Sequence, residues 1–209
     1  MTPSKTLPII ILMLPFILHA QDHQVALQSI TQFQEELNKE YKDPAKSPLN
    51  PRELKRFKHH DFFPSDLKFS VQATVDRNVN EEPFKMKTSN GRLADYKKYG
   101  TAVFKIDGKE FKLTLYQSLD LMKKEEYKDY LFLPFTDLSN GEQTYSGGRY
   151  IDLRIVEGNA LTIDFNKAYN AYCAYSEKYS CPIVPAENHL ETKIEAGVKS
   201  RGHHAAKHQ

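Results

Sequence analysis

The densest set of chemically capable side chains lies in residues 161–190, LTIDFNKAYNAYCAYSEKYSCPIVPAENHL, which hold both cysteines and four of the twelve tyrosines. Asp164 leaves its strand on the face opposite Phe165, and Asn166, Tyr169, Asn170, Tyr172 and Tyr175 follow in an irregular polar loop. Glu187, Asn188 and His189 close the stretch after Pro182 and Pro185. Three chemistries fit these types. Cys173, Cys181 and His189 could ligate a metal with Glu187 or Asp164 as fourth ligand, although seven intervening residues on each side is no known finger spacing. Cys173 could act as a nucleophile with His189 as base. The tyrosines and amides could line a pocket for a sugar, a peptide or another small polar ligand. Against all three stands the reading that these groups only satisfy backbone polar atoms and hold the loop shut.

A second stretch, residues 131–149, carries Asp137, Glu142, Tyr145 and the run Gly147-Gly148-Arg149. Glycines before an arginine can present backbone N–H groups beside a fixed charge, which suits a carboxylate or phosphate. A glycine-rich turn with a surface arginine is the plainer alternative. There is no phosphate-binding glycine loop, no dinucleotide fingerprint, no HExxH and no GxSxG.

The N-terminus has the layout of a secretory signal. Lys5 is its positive charge, residues 7–18 are apolar apart from prolines, and Ala20 supplies the small residue before cleavage. The apolar run is shorter than the roughly 20 residues a membrane helix needs. The expectation is therefore an exported protein, periplasmic or extracellular, beginning at Gln21, with no stable membrane insertion after cleavage. In such a compartment two cysteines usually pair, which predicts a Cys173–Cys181 disulfide. A net charge of +2, from 29 basic and 27 acidic residues, supplies no electrostatic reason to bind nucleic acid.

The elements that must position these residues are mostly strands. Residues 22–41 read as a helix, with Leu27, Ile30, Phe33, Leu37 and Tyr41 at helical spacing. Asn50, Pro51 and Glu53 form the start signal of a second, short helix. His59 and His60 then fall at its solvated end. From Leu67 the period becomes two: Leu67, Phe69, Val71, Ala73 and Val75 share a face. Phe84, Met86 and Thr88 follow a turn at residues 79–83. Asp107-Gly108 joins strands whose inward residues are Ala102, Phe104 and Ile106, and Phe111, Leu113 and Leu115. Residues 118–130 are weakly helical. Residues 131–135, 149–156, 161–165 and 192–196 read as further strands. The fold class expected is mainly β (α+β): an antiparallel β-sandwich or partly open barrel with one or two N-terminal helices. The division is a signal at 1–20, a helical segment at 21–60, a β-rich domain at 61–198 and a disordered His-containing tail at 199–209.

The blocks DGKEFKLTLYQ (107–117), LFLPFTDLSNGEQTYSGGRYIDL (131–153) and residues 161–199 closely resemble the domain-of-unknown-function 1684 family. Members of that family carry GRxxxYxxYG, matched at 91–100, then LFLPFxDxTxGxxTYxxGRYLDL and DFNxAYNPxCAYxxxYxCPxPPxEN. The resemblance spans about residues 55–198. The chain departs at Ala171, where proline is common, at Ser139, where threonine is common, and at Val184-Pro185-Ala186. The resemblance implies an uncharacterised exported protein of bacterial type. It also implies a shared site drawn from Arg92, Tyr96, Asp137, Tyr145, Arg149, Asp164, Asn166, Tyr169, Asn170, Tyr172, Tyr175, Glu187 and Asn188. It supplies no activity, so no catalytic role follows, and no cofactor is implied.

The combined expectation is a protein that binds a small polar or carbohydrate-like ligand in a pocket joining Gly147-Gly148-Arg149 to residues 161–190. A hydrolase or isomerase using Asp164 or Glu187 as general acid/base with Arg149 as anion holder is the rival. A structural envelope protein without a small-molecule site is the third reading.

Overall fold

The computed structural model describes residues 14–77 and 82–200. The proposed signal residues before Leu14, most of the turn expected at 79–83 and the tail from 201 onward lie outside the described residues. A long helix, α1 (Leu14–Lys42), opens the chain, so the helix expected from Asp22 begins earlier. Lys39 and Lys42 sit in its last turn, where they complement the helix dipole. The capping signal at Asn50 is met by α2 (Pro51–Leu54). Asn50 Oδ1 accepts from the backbone N–H groups of Arg52 and Glu53, and its amide donates to Glu53 Oε2 at 2.8 Å.

Among the described residues nine strands follow: β1 (Ser70–Asp76), β2 (Phe84–Lys87), β3 (Leu93–Ile106), β4 (Lys109–Ser118), β5 (Tyr130–Asp137), β6 (Arg149–Arg154), β7 (Ala160–Asp164), β8 (Tyr169–Asn170) and β9 (His189–Leu190). They form one sheet in the order β7-β1-β3-β4-β5-β6-β8, with β2 beside β3 and β9 beside β5. Every pairing is antiparallel except β5 with β9. The sheet is not closed, which selects the open form of the two architectures expected. The β3–β4 hairpin turns at Asp107-Gly108, both at positive φ (50° and 79°), as a tight two-residue hairpin turn requires.

Period-two alternation decides which side chains meet. The inward sets expected for β1, β3, β4 and β7 are buried together with Leu131, Leu133, Phe135, Ile151 and Phe165 in one apolar core, except Leu67, which is half-buried in a 3-10 turn ahead of β1. The opposite face of the sheet is also apolar, but aromatic: Met86, Tyr96, Tyr116, Phe132 and Tyr150 gather there under the loop at 171–182. A third cluster joins Leu37 and Tyr41 of α1 to Leu49 and Val198. Two expectations fail. Residues 192–196 form no strand; the segment is fastened by side chains instead, as Ile194 N–H donates to Asp137. His60 is buried, not solvated, with its ring 4.3 Å from that of Tyr41 and its Nδ1 3.0 Å from Asn38 Oδ1.

Candidate functional site

Arg149 and Asp137 do not line a ligand pocket. Arg149 opens β6 on the inward side with Ile151, opposite Phe135 of β5. Its guanidinium is wholly buried, 2.8 Å from Asp137 Oδ2 and 2.8 Å from Ile194 O, and also donates to Ala196 O. Burial this complete requires a partner for the charge, and Asp137 is that partner. Gly148, at φ 88°, lies where a Cβ would come within 2.6 Å of Phe135 O. Its role is therefore close packing against β5, not an anion cradle. The arginine points into the core and takes no part in a pocket with the 161–190 stretch, whereas Gly147 and Tyr145 do meet residues 171–183 of that stretch across a cleft.

Several other sequence candidates hold backbone. Asp164 accepts from Asn166 N–H at 3.1 Å and from its amide, capping the turn at 165–167. Asn166 bonds both Asp66 N–H and Asp66 O, tying that turn to the segment before β1. Asn188, fully buried, bonds Thr114 N–H, Thr114 O and Pro134 O, and so locks β4 to β5. Asn170 reaches the Tyr175 hydroxyl at 3.2 Å, and the Tyr175 ring lies 5.0 Å from Tyr41. Glu187 accepts from Tyr116 Oη at 2.9 Å and faces Lys98 at 3.5 Å. Burial pushes its carboxyl up, but the backbone, Tyr116 and Lys98 together hold it below the usual carboxylate range. Arg92 donates to Ser180 from the edge of β3. Asp164, Glu187 and Arg149 thus sit in separate sets of contacts, and no acid/base site with a fixed anion holder forms from them.

What the fold does assemble is a cleft of about 450 Å³ on the aromatic face of the sheet, between β5, β6 and β8 below and α1 and the 171–182 loop above. Its floor is Asp152. Asp152 pairs with Phe132 across the strands, which leaves Tyr130 on β5 and Tyr169 on β8 as its diagonal neighbours. Both phenols donate to Asp152 Oδ1, each at 2.7 Å. Among the described residues, Oδ2 has no partner. Tyr96, Tyr150, Tyr172 and Tyr179 complete the walls, and α1 contributes Phe33, Glu36, Leu37 and Glu40. Tyr172 donates to Glu40, so the loop and the helix are linked across the cleft. Of the sequence candidates, Tyr96, Tyr169 and Tyr172 meet here. Tyr130, Tyr150, Asp152, Glu36 and Glu40 were not singled out.

The electrostatics fit a concave site. Asp152 is open to solvent yet ringed by protein, and this crowding raises its carboxyl above the usual range against the opposing pull of Tyr169, Tyr130 and Arg154. Burial pushes the Tyr96 phenol up to about 12 and raises Tyr130, Tyr150, Tyr169 and Tyr172 further. All five stay protonated at neutral pH, and Tyr130, Tyr150, Tyr169 and Tyr172 serve as neutral donors.

Residues 55–199 match the family described as "Protein of unknown function (DUF1684)". The chain belongs to the DUF1684 family. The solution NMR structure of an uncharacterized protein from Haloarcula marismortui is similar: 32% identical, covering 89% of this chain and 98% of that one, with a TM-score of 0.67. No curated protein matches. The DUF1684 segment contains the floor and the tyrosine walls of the cleft, whereas α1 precedes it.

The two cysteines of this DUF1684 chain are free thiols, not at disulfide distance. They are nevertheless neighbours: Cys173 N–H donates to Cys181 Sγ at 3.2 Å. The thiols also bond each other, which lowers Cys173 to about 6, helped by Ser89 and Tyr145, and raises Cys181. With Tyr145 they line a second cleft of about 520 Å³ on the far side of the 171–182 loop. Neither the metal set nor the Cys173–His189 dyad is assembled. His189 is bonded to Thr136 at 2.9 Å, and among the described residues no three metal-binding side chains converge.

Proposed function

We propose that the chain binds a small polar ligand in the cleft floored by Asp152. The observation that carries this reading is the carboxylate itself. Two phenols fix one oxygen, the other is unpartnered, and aromatic rings surround it in a space the size of a metabolite site. Rigid aromatic rings present contact area at small entropic cost, and an oriented carboxylate gives direction to a ligand's donors. The test is a ligand screen by thermal shift on the chain from Gln21 onward, repeated with Asp152→Asn. A ligand at this site should lose its stabilising effect in the variant. Hits that stabilise both proteins equally would place binding elsewhere.

Export belongs to the same proposal. Lys5, the apolar run at 7–18 and Ala20 support it. Mass spectrometry of the protein recovered from culture fractions tests it: an N-terminus at Gln21 outside the cytoplasm is the expected result, and an intact Met1 chain inside would refute it. Among the described residues no helix is long and apolar enough to cross a membrane.

A further inference from the structure

We propose that the cleft selects an organic cation, an alkylammonium group seated against Asp152; this rests on the reading of the cleft as a ligand site. The first observation is the balance of what lines it. Asp152, Glu36 and Glu40 are there, and the described lining residues include no Lys, Arg or His, in a chain with 29 Lys and Arg. Arg154, the basic side chain that acts on Asp152, is turned away to Asp129 Oδ1 at 2.6 Å and Glu126 O at 2.7 Å.

The second observation concerns hydrogen-bond donors. An anion needs donors from its site, and a sugar needs them for those of its oxygens that accept. Here the hydroxyls of Tyr130 and Tyr169 are committed to Asp152, that of Tyr172 to Glu40 and that of Tyr150 to Pro182 O. The single Ser180 hydroxyl proton is shared between Thr88 Oγ1 and Asn90 Oδ1. What remains facing the cleft is carboxylate oxygen, ring surface and the hydroxyls of Tyr96, which pairs with Ser118, and Tyr179, so that acceptors and π faces outweigh donors. A cation over tyrosine faces beside a carboxylate satisfies both and supplies the opposite charge, which a neutral ligand lacks, and an anion satisfies neither. The same committed hydroxyls hold the rings still, so the cage exists before the ligand arrives.

The experiment titrates the full chain with choline and with its neutral carbon isostere, 3,3-dimethylbutan-1-ol, at matched ionic strength. Calorimetry gives the affinities, and amide NMR shifts locate the sites. Choline should bind at the cleft at least tenfold more tightly than the isostere. Asp152→Asn should weaken choline at least tenfold, because the amide oxygen still accepts from both phenols but the charge is gone. Glu36→Gln, on the exposed side of α1, provides a second variant whose change cannot disturb the sheet; it should weaken choline and leave the isostere alone. Equal affinity for choline and isostere, or choline binding untouched by Asp152→Asn, would overturn the cation inference. A neutral saccharide that binds at Asp152 where choline does not would overturn it and leave the ligand site standing. If neither class moves the cleft signals, both readings fall.

Discussion

Arg149 is the side chain whose removal separates a structural arginine from a ligand anchor. In Arg149→Met the aliphatic body is kept and the guanidinium is lost. Three acceptors then lose a buried donor: Asp137 Oδ2, Ile194 O and Ala196 O. Asp137 keeps the N–H groups of Ser139 at 2.8 Å and Ile194 at 3.2 Å, but its charge has no counterion. Deleting one partner of a buried ion pair costs about 3–5 kcal/mol. For a domain of this size that corresponds to a fall in melting temperature of roughly 6–20 °C. Circular dichroism melts of the wild type, Arg149→Met and Arg149→Met/Asp137→Leu measure it. The double variant should recover a large part of the loss, since an apolar pair of similar volume suits the core. A single-variant melt within 2 °C of wild type would refute the assignment of Arg149 to the core. So would a variant of normal stability that has lost ligand binding.

Other outcomes follow from the same geometry. Asn188→Ala strips three buried backbone groups of their partner and should cost on the order of 3 kcal/mol, read from the urea midpoint; a loss below about 1 kcal/mol would mean that water replaces the amide. In the reduced protein, Cys173 should alkylate before Cys181, with a rate that rises through pH about 6; a midpoint in the ordinary thiol range of about 8.5 would show that the Cys181 contact is not formed. Asp152 carries a raised carboxyl, so its ionised form weighs against folding above the folded-state pKa, and this penalty is gone below the unfolded value near 3.8. Asp152→Asn should therefore melt higher than wild type at neutral pH, with the gap closing as the pH is lowered. A gap that widens toward acid would reverse the sign of the shift.

The core was legible because it repeats. Val71, Ala73 and Val75, or Phe111, Leu113 and Leu115, announce their face by spacing alone, and Asp107-Gly108 fixes the register between two strands. The cleft was not, although part of its signal was present. In β6 the same alternation that sends Ile151 inward sends Arg149 with it and turns Tyr150 and Asp152 outward. Reading Arg149 as the neighbour of Gly147-Gly148 obscured its position in the strand. The rest depends on long-range pairing. Tyr130 and Tyr169 meet at Asp152 only because β5 and β8 flank β6, and no local pattern at the two-residue β8 shows that. β3 extends back to Leu93 through the polar run at 93–99 because β2 and β4 pair with it there. His60 is buried because α1 and Tyr175 cover it, a fact held in residues far from it in sequence.

The cleft is made by two parts of the chain, one inside the stretch matched by the family and one ahead of it. Its floor lies within the stretch that defines the family, and its carboxylate-bearing roof, Glu36 and Glu40, lies before residue 55, where that stretch begins. A substitution in the roof therefore leaves the family-matched stretch unchanged. On the cation reading, exchanging the two roof glutamates for neutral or basic residues would redirect the site to a different guest while Asp152 and its two tyrosines stayed in place.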